Sequence, residues 1–189
     1  MKRSLLIGCG NNHTKQVCYD GITEWTGELT KMDINPNCGA DVLFDMERLF
    51  NPDLSAGLCA DCREPPMGRL PFADNTFDEI GCYNTLEHWG RQGDFRGWFH
   101  ECGEYWRILK PGGLMSILVP VGEDALADPG HTRFFQANWF GFLSQAFYEG
   151  NDQLKTCYTD YRWLWRLNFD VLYLKEHDGH HLAVVLRKA

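Results

Sequence analysis

Short apolar runs alternate with polar, glycine-rich and proline-rich stretches along the whole chain. The first run, Ser4-Leu5-Leu6-Ile7, stops at Gly8-Cys9-Gly10 and predicts a buried strand over about 4–7. A helical or irregular segment fills 12–26, and a second strand over about 29–33 ends in Asp33. Ala40-Asp41-Val42-Leu43-Phe44-Asp45 reads as a short third strand. Residues 46–69 carry Pro52, Gly57, Pro65, Pro66 and Gly68, which predict a long inserted loop rather than a packed element. The turn Leu70-Pro71-Phe72 leads through Asp74 and Asn75 into a fourth strand over about 78–83.

The clearest helix follows. Asp94 is a natural N-cap, and Phe95, Trp98, Phe99, Cys102, Trp106 and Leu109 share one face at helical spacing. Arg107 and Lys110 suit the C-terminal end, and Pro111-Gly112-Gly113 stops the helix. The fifth strand, 114–120, is apolar enough to be buried on both faces. A loop over 121–135 precedes an aromatic helix of roughly 136–148 and a variable stretch to 166. The chain ends in a hairpin, 169–174 with 181–186, turning at Asp178-Gly179. Strand and helix signals in alternation predict an α/β fold with a mainly parallel sheet in a single domain, 1–189.

Composition narrows the function classes. A net charge of −8 and a pI of about 5.3 argue against a broad nucleic-acid surface or an anionic membrane surface. No apolar run approaches membrane-spanning length, and Leu5–Cys9 is too short for a signal-peptide core, so a cytoplasmic protein is expected. The eight cysteines then read as free thiols. Cys59-Ala60-Asp61-Cys62 has no second C-x-x-C to complete a zinc site, and Glu87-His88 supplies only two ligands, so no metal is expected.

A strand, a glycine turn and a second strand tipped with a carboxylate is how an α/β sheet holds a ribose-bearing ligand. A dinucleotide would require a third glycine near Asn12, and no G-x-G-x-x-G or phosphate loop can be written here. A nucleoside with a small charged tail suits the same architecture.

Six pieces then occur in order: Gly8-Cys9-Gly10, Asp33-Ile34, Asp45-Met46, Leu70-Pro71-Phe72 with Asp74–Asp78, Asn84-Thr85-Leu86-Glu87-His88, and Leu109-Lys110-Pro111-Gly112-Gly113. Over roughly residues 3–120 the chain resembles the class I S-adenosylmethionine-dependent methyltransferases, the type-11 group in particular. The resemblance implies a Rossmann-like, seven-stranded, mainly parallel sheet ending in an antiparallel hairpin. It implies S-adenosylmethionine as cofactor: Gly8, Cys9, Gly10 and Asn11 at the methionine part, Asp33 on the ribose hydroxyls and Ile34 against the adenine. It likewise places Asp45 near the adenine amino group beside Met46, and Asn84, Thr85 and Leu86 at the sulfonium side. The chain departs from that pattern at Leu6, where an acid is usual, and at Asn12, where a third glycine is usual.

The segment 121–168 is expected on the substrate side. Within it, His131 is the candidate general base or, equally, a histidine that holds the loop. Trp139, Phe140, Phe142, Phe147, Tyr148, Tyr158, Tyr161, Trp163 and Trp165 read first as core and second as an acceptor pocket or a dimer contact. The expectation is a methyltransferase, monomeric or homodimeric, acting on a small or mid-sized acceptor. Its rivals are an inactive cofactor-binding module of the same fold, a zinc-bearing interaction domain around Cys59 and Cys62, and an NAD-linked oxidoreductase.

Overall fold

A computed structural model describes residues 1–50 and 68–189. The expected C-x-x-C at Cys59 and Cys62 lies outside the described residues. Seven strands form one sheet in the order β3-β2-β1-β4-β5-β7-β6. They are β1 (Arg3–Ile7), β2 (Glu28–Asp33), β3 (Val42–Leu43), β4 (Phe77–Tyr83), β5 (Leu109–Pro120), β6 (Phe169–His177) and β7 (His181–Lys188). The first five run parallel, and β7 enters antiparallel between β5 and β6. The hairpin turn has positive φ at both Asp178 and Gly179, the conformation an Asp-Gly pair tolerates best.

Alternation along each strand divides the core in two. Leu5, Ile7, Ile80, Cys82, Met115, Ile117, Val184 and Leu186 face one side. There they meet α1 (Phe95–Ile108), α3 (Ala137–Gly141) and Trp165. Leu6, Tyr83, Leu118, Ala183 and Val185 face the other side and are covered by Val17, Tyr19, Trp25 and Cys38.

The segment after β1 is irregular, so no helix follows the glycine turn. The local chemistry accounts for this. The Asn12 side chain accepts from both the N–H and the hydroxyl of Thr14, at 3.1 and 2.7 Å, an arrangement that competes with helical bonding. The segment is instead tied down by side chains. Lys15 pairs with the buried Glu79 of β4, and the Trp25 indole donates to the His13 carbonyl at 2.8 Å.

Other differences from the sequence pattern are smaller. The third strand shrinks to two residues because Asp41 turns its carboxylate back onto the Lys31 N–H and Asp45 caps a 3-10 turn, Met46–Leu49. Within the expected loop 46–69, therefore, the first four residues are ordered as that turn. The helix α1 passes directly into β5, so Lys110–Gly113 forms an irregularity within the strand pairing rather than a separate loop. The expected helix 136–148 is two, α3 and α4 (Gln145–Leu154), broken where the Leu143 carbonyl accepts the Trp165 indole and the Phe169 N–H. A short α2 (Asp124–Ala127) precedes them in what reads from sequence as loop.

Candidate functional site

The loops leaving β1, β2, β3 and β4 meet at the carboxyl end of the parallel strands, where open α/β sheets hold ligands. Two recesses open there and share Gly8. The larger, about 530 Å³, is walled by Met32, Ile34, Phe44, Met46 and Trp89, with Asp33, Asp45, Glu47, Thr85 and His88 supplying polar groups. The smaller, about 340 Å³, is lined by Leu6, Cys9, Gly10, Asn11, Asn12, Gln16 and Asn84. The first lies within the size of a typical small-molecule site, about 300–1,000 Å³.

Gly8 is fixed by two demands. Its φ is +61°, and an added Cβ would lie 1.9 Å from the Thr85 hydroxyl oxygen. Only a residue without a side chain lets the first loop pass the fourth this closely. Gly10 has φ +46° with open space beside it, so its demand is conformational alone. The Gly10 N–H donates to Asp33 Oδ2 at 2.9 Å, and the Asn35 N–H donates to Asp33 Oδ1 at 2.8 Å. Both oxygens keep lone pairs for a ligand, since a carboxylate accepts about four hydrogen bonds.

The remaining expected positions divide. Asp45 Oδ1 accepts from the Glu47 N–H at 2.9 Å and holds the 3-10 turn that presents Met46 to the larger recess. Ile34 forms an exposed rim. Asn84 has φ +48° and reaches the smaller recess beside Asn11. Thr85 lines the larger. Leu86 lines neither, being turned into the core. Cys9 places its backbone at the recess while its thiol packs 3.6 Å from the Cys38 sulfur; burial and that hydrogen bond push the thiol up to about 12, so it stays neutral.

His131 Nδ1 lies 2.8 Å from the Ala125 carbonyl, and Nε2 faces Glu87 Oε1 at 3.9 Å. His88, whose ring sits 4.8 Å from that of His131, is the member of this group that reaches the larger recess. Glu87 is 1% exposed, and neither carboxylate oxygen has a hydrogen-bond partner among the described residues. Burial pushes its carboxyl up to about 7, against the opposing pull of its own backbone N–H, His131 and Arg133.

Several residues that shape the site have no motif. Arg133 and Glu101 form a fully buried pair at 2.7 Å, and Arg133 also donates to the Leu86 carbonyl at 2.6 Å. Glu101 Oε1 accepts from the Trp89 indole and the Tyr105 hydroxyl at 2.6 and 2.5 Å. Together they clamp the loop after β4 between α1 and the loop after β5. Glu47 adds a bond from the Gly90 N–H at 2.6 Å. The one sequence signal was Glu101, an acid within the buried stripe Trp98, Cys102, Tyr105 and Ile108. The aromatic segment serves mainly as core, through Phe140, Tyr148 and Trp165, while Trp139, Phe142 and Tyr161 line a third cavity of about 190 Å³.

The strand order, the antiparallel end and the glycine turn beneath the two recesses define a Rossmann-like class I methyltransferase architecture. A family model described as a methyltransferase domain matches residues 5–117, more than half of the chain, and the chain belongs to that family. Among solved structures it is similar to a putative methyltransferase of Haloferax volcanii in complex with the Trm112 methyltransferase activator. That likeness has a TM-score of 0.53 at 15% identity, covering 99% of this chain and 82% of that one. A SAM-dependent methyltransferase from Archaeoglobus fulgidus gives 0.52 at 14% identity, over 99% of this chain and 86% of that one. The PH0226 protein of Pyrococcus horikoshii gives 0.50 at 13% identity, over 99% and 82%. Among curated proteins none matches.

Proposed function

We propose that the protein binds S-adenosylmethionine across the two recesses and transfers its methyl group to a small or mid-sized acceptor. The observation that carries this is the pair of unlike recesses meeting at Gly8: one largely apolar with three acidic residues, Asp33, Asp45 and Glu47, on its wall, the other lined by amides. The first fits an adenosine, with Asp33 on the ribose hydroxyls, Asp45 toward the base edge, and Ile34 and Met46 against its faces. The second fits an amino-acid tail. Leu6 cannot bind the ammonium, but the amide oxygens of Asn11, Gln16 and Asn84 can accept from it.

The cofactor supplies a methyl group on a sulfonium, which an acceptor displaces in line. The chain aligns the two partners and excludes water. Thr85 and His88 stand on the wall that faces such an acceptor, with Glu87 and His131 behind His88. We therefore assign acceptor activation to this cluster rather than to His131 alone. The loop after β5 and the segment to 168 supply the acceptor side. The six described cysteines are unpaired, which suits a reducing, cytoplasmic setting. Among the described residues no helix is long and apolar enough to cross a membrane.

Calorimetry with S-adenosylmethionine tests the reading. One site per chain is expected, and Asp33→Ala should weaken it at least about tenfold, since a hydrogen bond to a charged group contributes about 1.5–3 kcal/mol. No heat from the folded wild type would overturn the proposal. A second reading, a cofactor-binding module without turnover, draws on Leu6 and on the missing helix after the glycine turn. Binding without product formation across oxygen, nitrogen and carbon acceptors would favour it.

A further inference from the structure

We propose that Glu87, His88 and His131 bind a divalent first-row transition ion at the wall of the larger recess, with open coordination positions toward the acceptor. One ligand atom from each residue lies within 4.8 Å of the other two. Two imidazoles and one carboxylate form a donor set that holds such an ion while leaving positions free for water or substrate.

Three observations point to an ion. First, Glu87 is buried and neither of its oxygens is hydrogen-bonded among the described residues. A buried carboxylate in that condition is costly unless something neutralises it. Second, the nearest His131 nitrogen is 3.9 Å from Glu87 Oε1, too far for a shared proton. Two metal–ligand bonds of about 2.0–2.2 Å at the tetrahedral angle place their donor atoms roughly 3.3–3.6 Å apart, so a side-chain shift of a few tenths of an ångström brings the pair onto one ion. Third, His131 is already oriented as a ligand. A carbonyl only accepts, so the 2.8 Å contact with Ala125 O makes Nδ1 the donor and leaves the Nε2 lone pair facing Glu87. Fixing the ring through its other nitrogen on a backbone carbonyl is the usual second support of a metal-bound histidine. The loop carrying His131 is itself pinned to the other ligand loop, because the N–H groups of Thr132 and Arg133 both donate to the Glu87 carbonyl, at 2.7 and 3.2 Å. The sequence offers only Glu87-His88; the third ligand arrives from 43 residues on, through the loop after β5.

The consequence for the acceptor rests on the methyltransferase reading; the ion site itself does not. His88 lies on the recess that the proposed function gives to the nucleoside, so an ion held here would face an acceptor docked against that same wall. It would take an acceptor hydroxyl oxygen as a ligand and favour loss of its proton to water. That oxygen then forms the new C–O bond as the S–C bond breaks, its electron pair passing to sulfur to give the neutral thioether.

The test uses Mn²⁺, which prefers oxygen and nitrogen donors to thiolates and so passes over Cys9 and Cys38. Chelator-treated protein should bind one Mn²⁺ per chain by calorimetry and electron paramagnetic resonance. Glu87→Gln, His131→Ala and His88→Ala should each weaken it by at least about tenfold, while Cys38→Ser leaves it unchanged. His88 is exposed, so its variant folds even if the other two do not. No Mn²⁺ binding, or equal binding by His88→Ala, overturns the inference. S-adenosylmethionine binding measured on the same samples separates the two ideas. Cofactor without Mn²⁺ removes the ion site alone; Mn²⁺ without cofactor keeps the site and removes the methyltransferase reading.

Discussion

At the scale of single residues, Gly8 carries the strictest local requirement at the site. Positive φ and the approach of Thr85 act together, so relief of either leaves the other. Gly8→Ala should cost about 1–3 kcal/mol of unfolding free energy, as overpacking of a close contact does, and should distort both recesses. Urea denaturation checks this, and unchanged stability would show that the two loops are not in fact packed this closely. Asp78 gives a prediction with a pH sign. Burial raises its carboxyl, but the Lys110 ammonium at 2.6 Å and the Arg3 N–H at 2.9 Å outweigh it and hold the group below its ordinary 3.8. The folded state therefore binds that proton less tightly than the unfolded chain. The stabilisation is present above the ordinary value and fades as pH falls through the lower, folded one. Asp78→Asn should flatten the acid limb of the melting-temperature profile below about pH 4 and lower stability at pH 7; a parallel limb would contradict the assignment.

At the scale of elements, the loop after β4 is held by groups that no local pattern announces. Glu101→Ala leaves the Arg133 guanidinium buried without its counter-charge, a change that costs about 3–5 kcal/mol in comparable sites. Adding Arg133→Met should restore a good part of that, because the orphaned charge leaves with the arginine. If the double variant proves no more stable than Glu101→Ala, the pair is not what secures the loop. This contrast also explains what could be read from sequence. Strands β1, β4, β5 and β7 are legible because each buries a contiguous apolar run, and α1 because its cap and stripe lie within one turn of each other. The pocket residues Gly8, Asp33 and Asp45 are legible because they sit at strand ends, where chain direction fixes their position. The clamp was not, since Glu101 and Arg133 are 32 residues apart and meet only in three dimensions. The break between α3 and α4 was hidden likewise, because it serves bonds arriving from Trp165 and Phe169.

At the scale of the whole molecule, the two faces of the sheet are unequally built. Helices cover one, while an irregular segment held by Lys15 on Glu79, and by Trp25, covers the other. That segment begins at Gly8-Cys9-Gly10 and lines the smaller recess through Asn11, Asn12 and Gln16. A ligand bridging both recesses would touch four separate loops and draw the irregular cover into the same unit as the sheet. Binding to the folded state alone raises stability by mass action, by about 2.7 kcal/mol at a hundredfold excess over the dissociation constant. For a domain of this size that corresponds to a rise of roughly 5–10 °C in melting temperature. S-adenosylhomocysteine, which carries both the nucleoside and the amino-acid tail, should produce this rise. Adenosine, which fills only the larger recess, should produce clearly less at the same concentration. Hydrogen exchange should slow at Gly8–Gln16 with the full ligand but not with adenosine. Slowing confined to the loops after β2 and β3 with both ligands would mean that the smaller recess is not the seat of the tail.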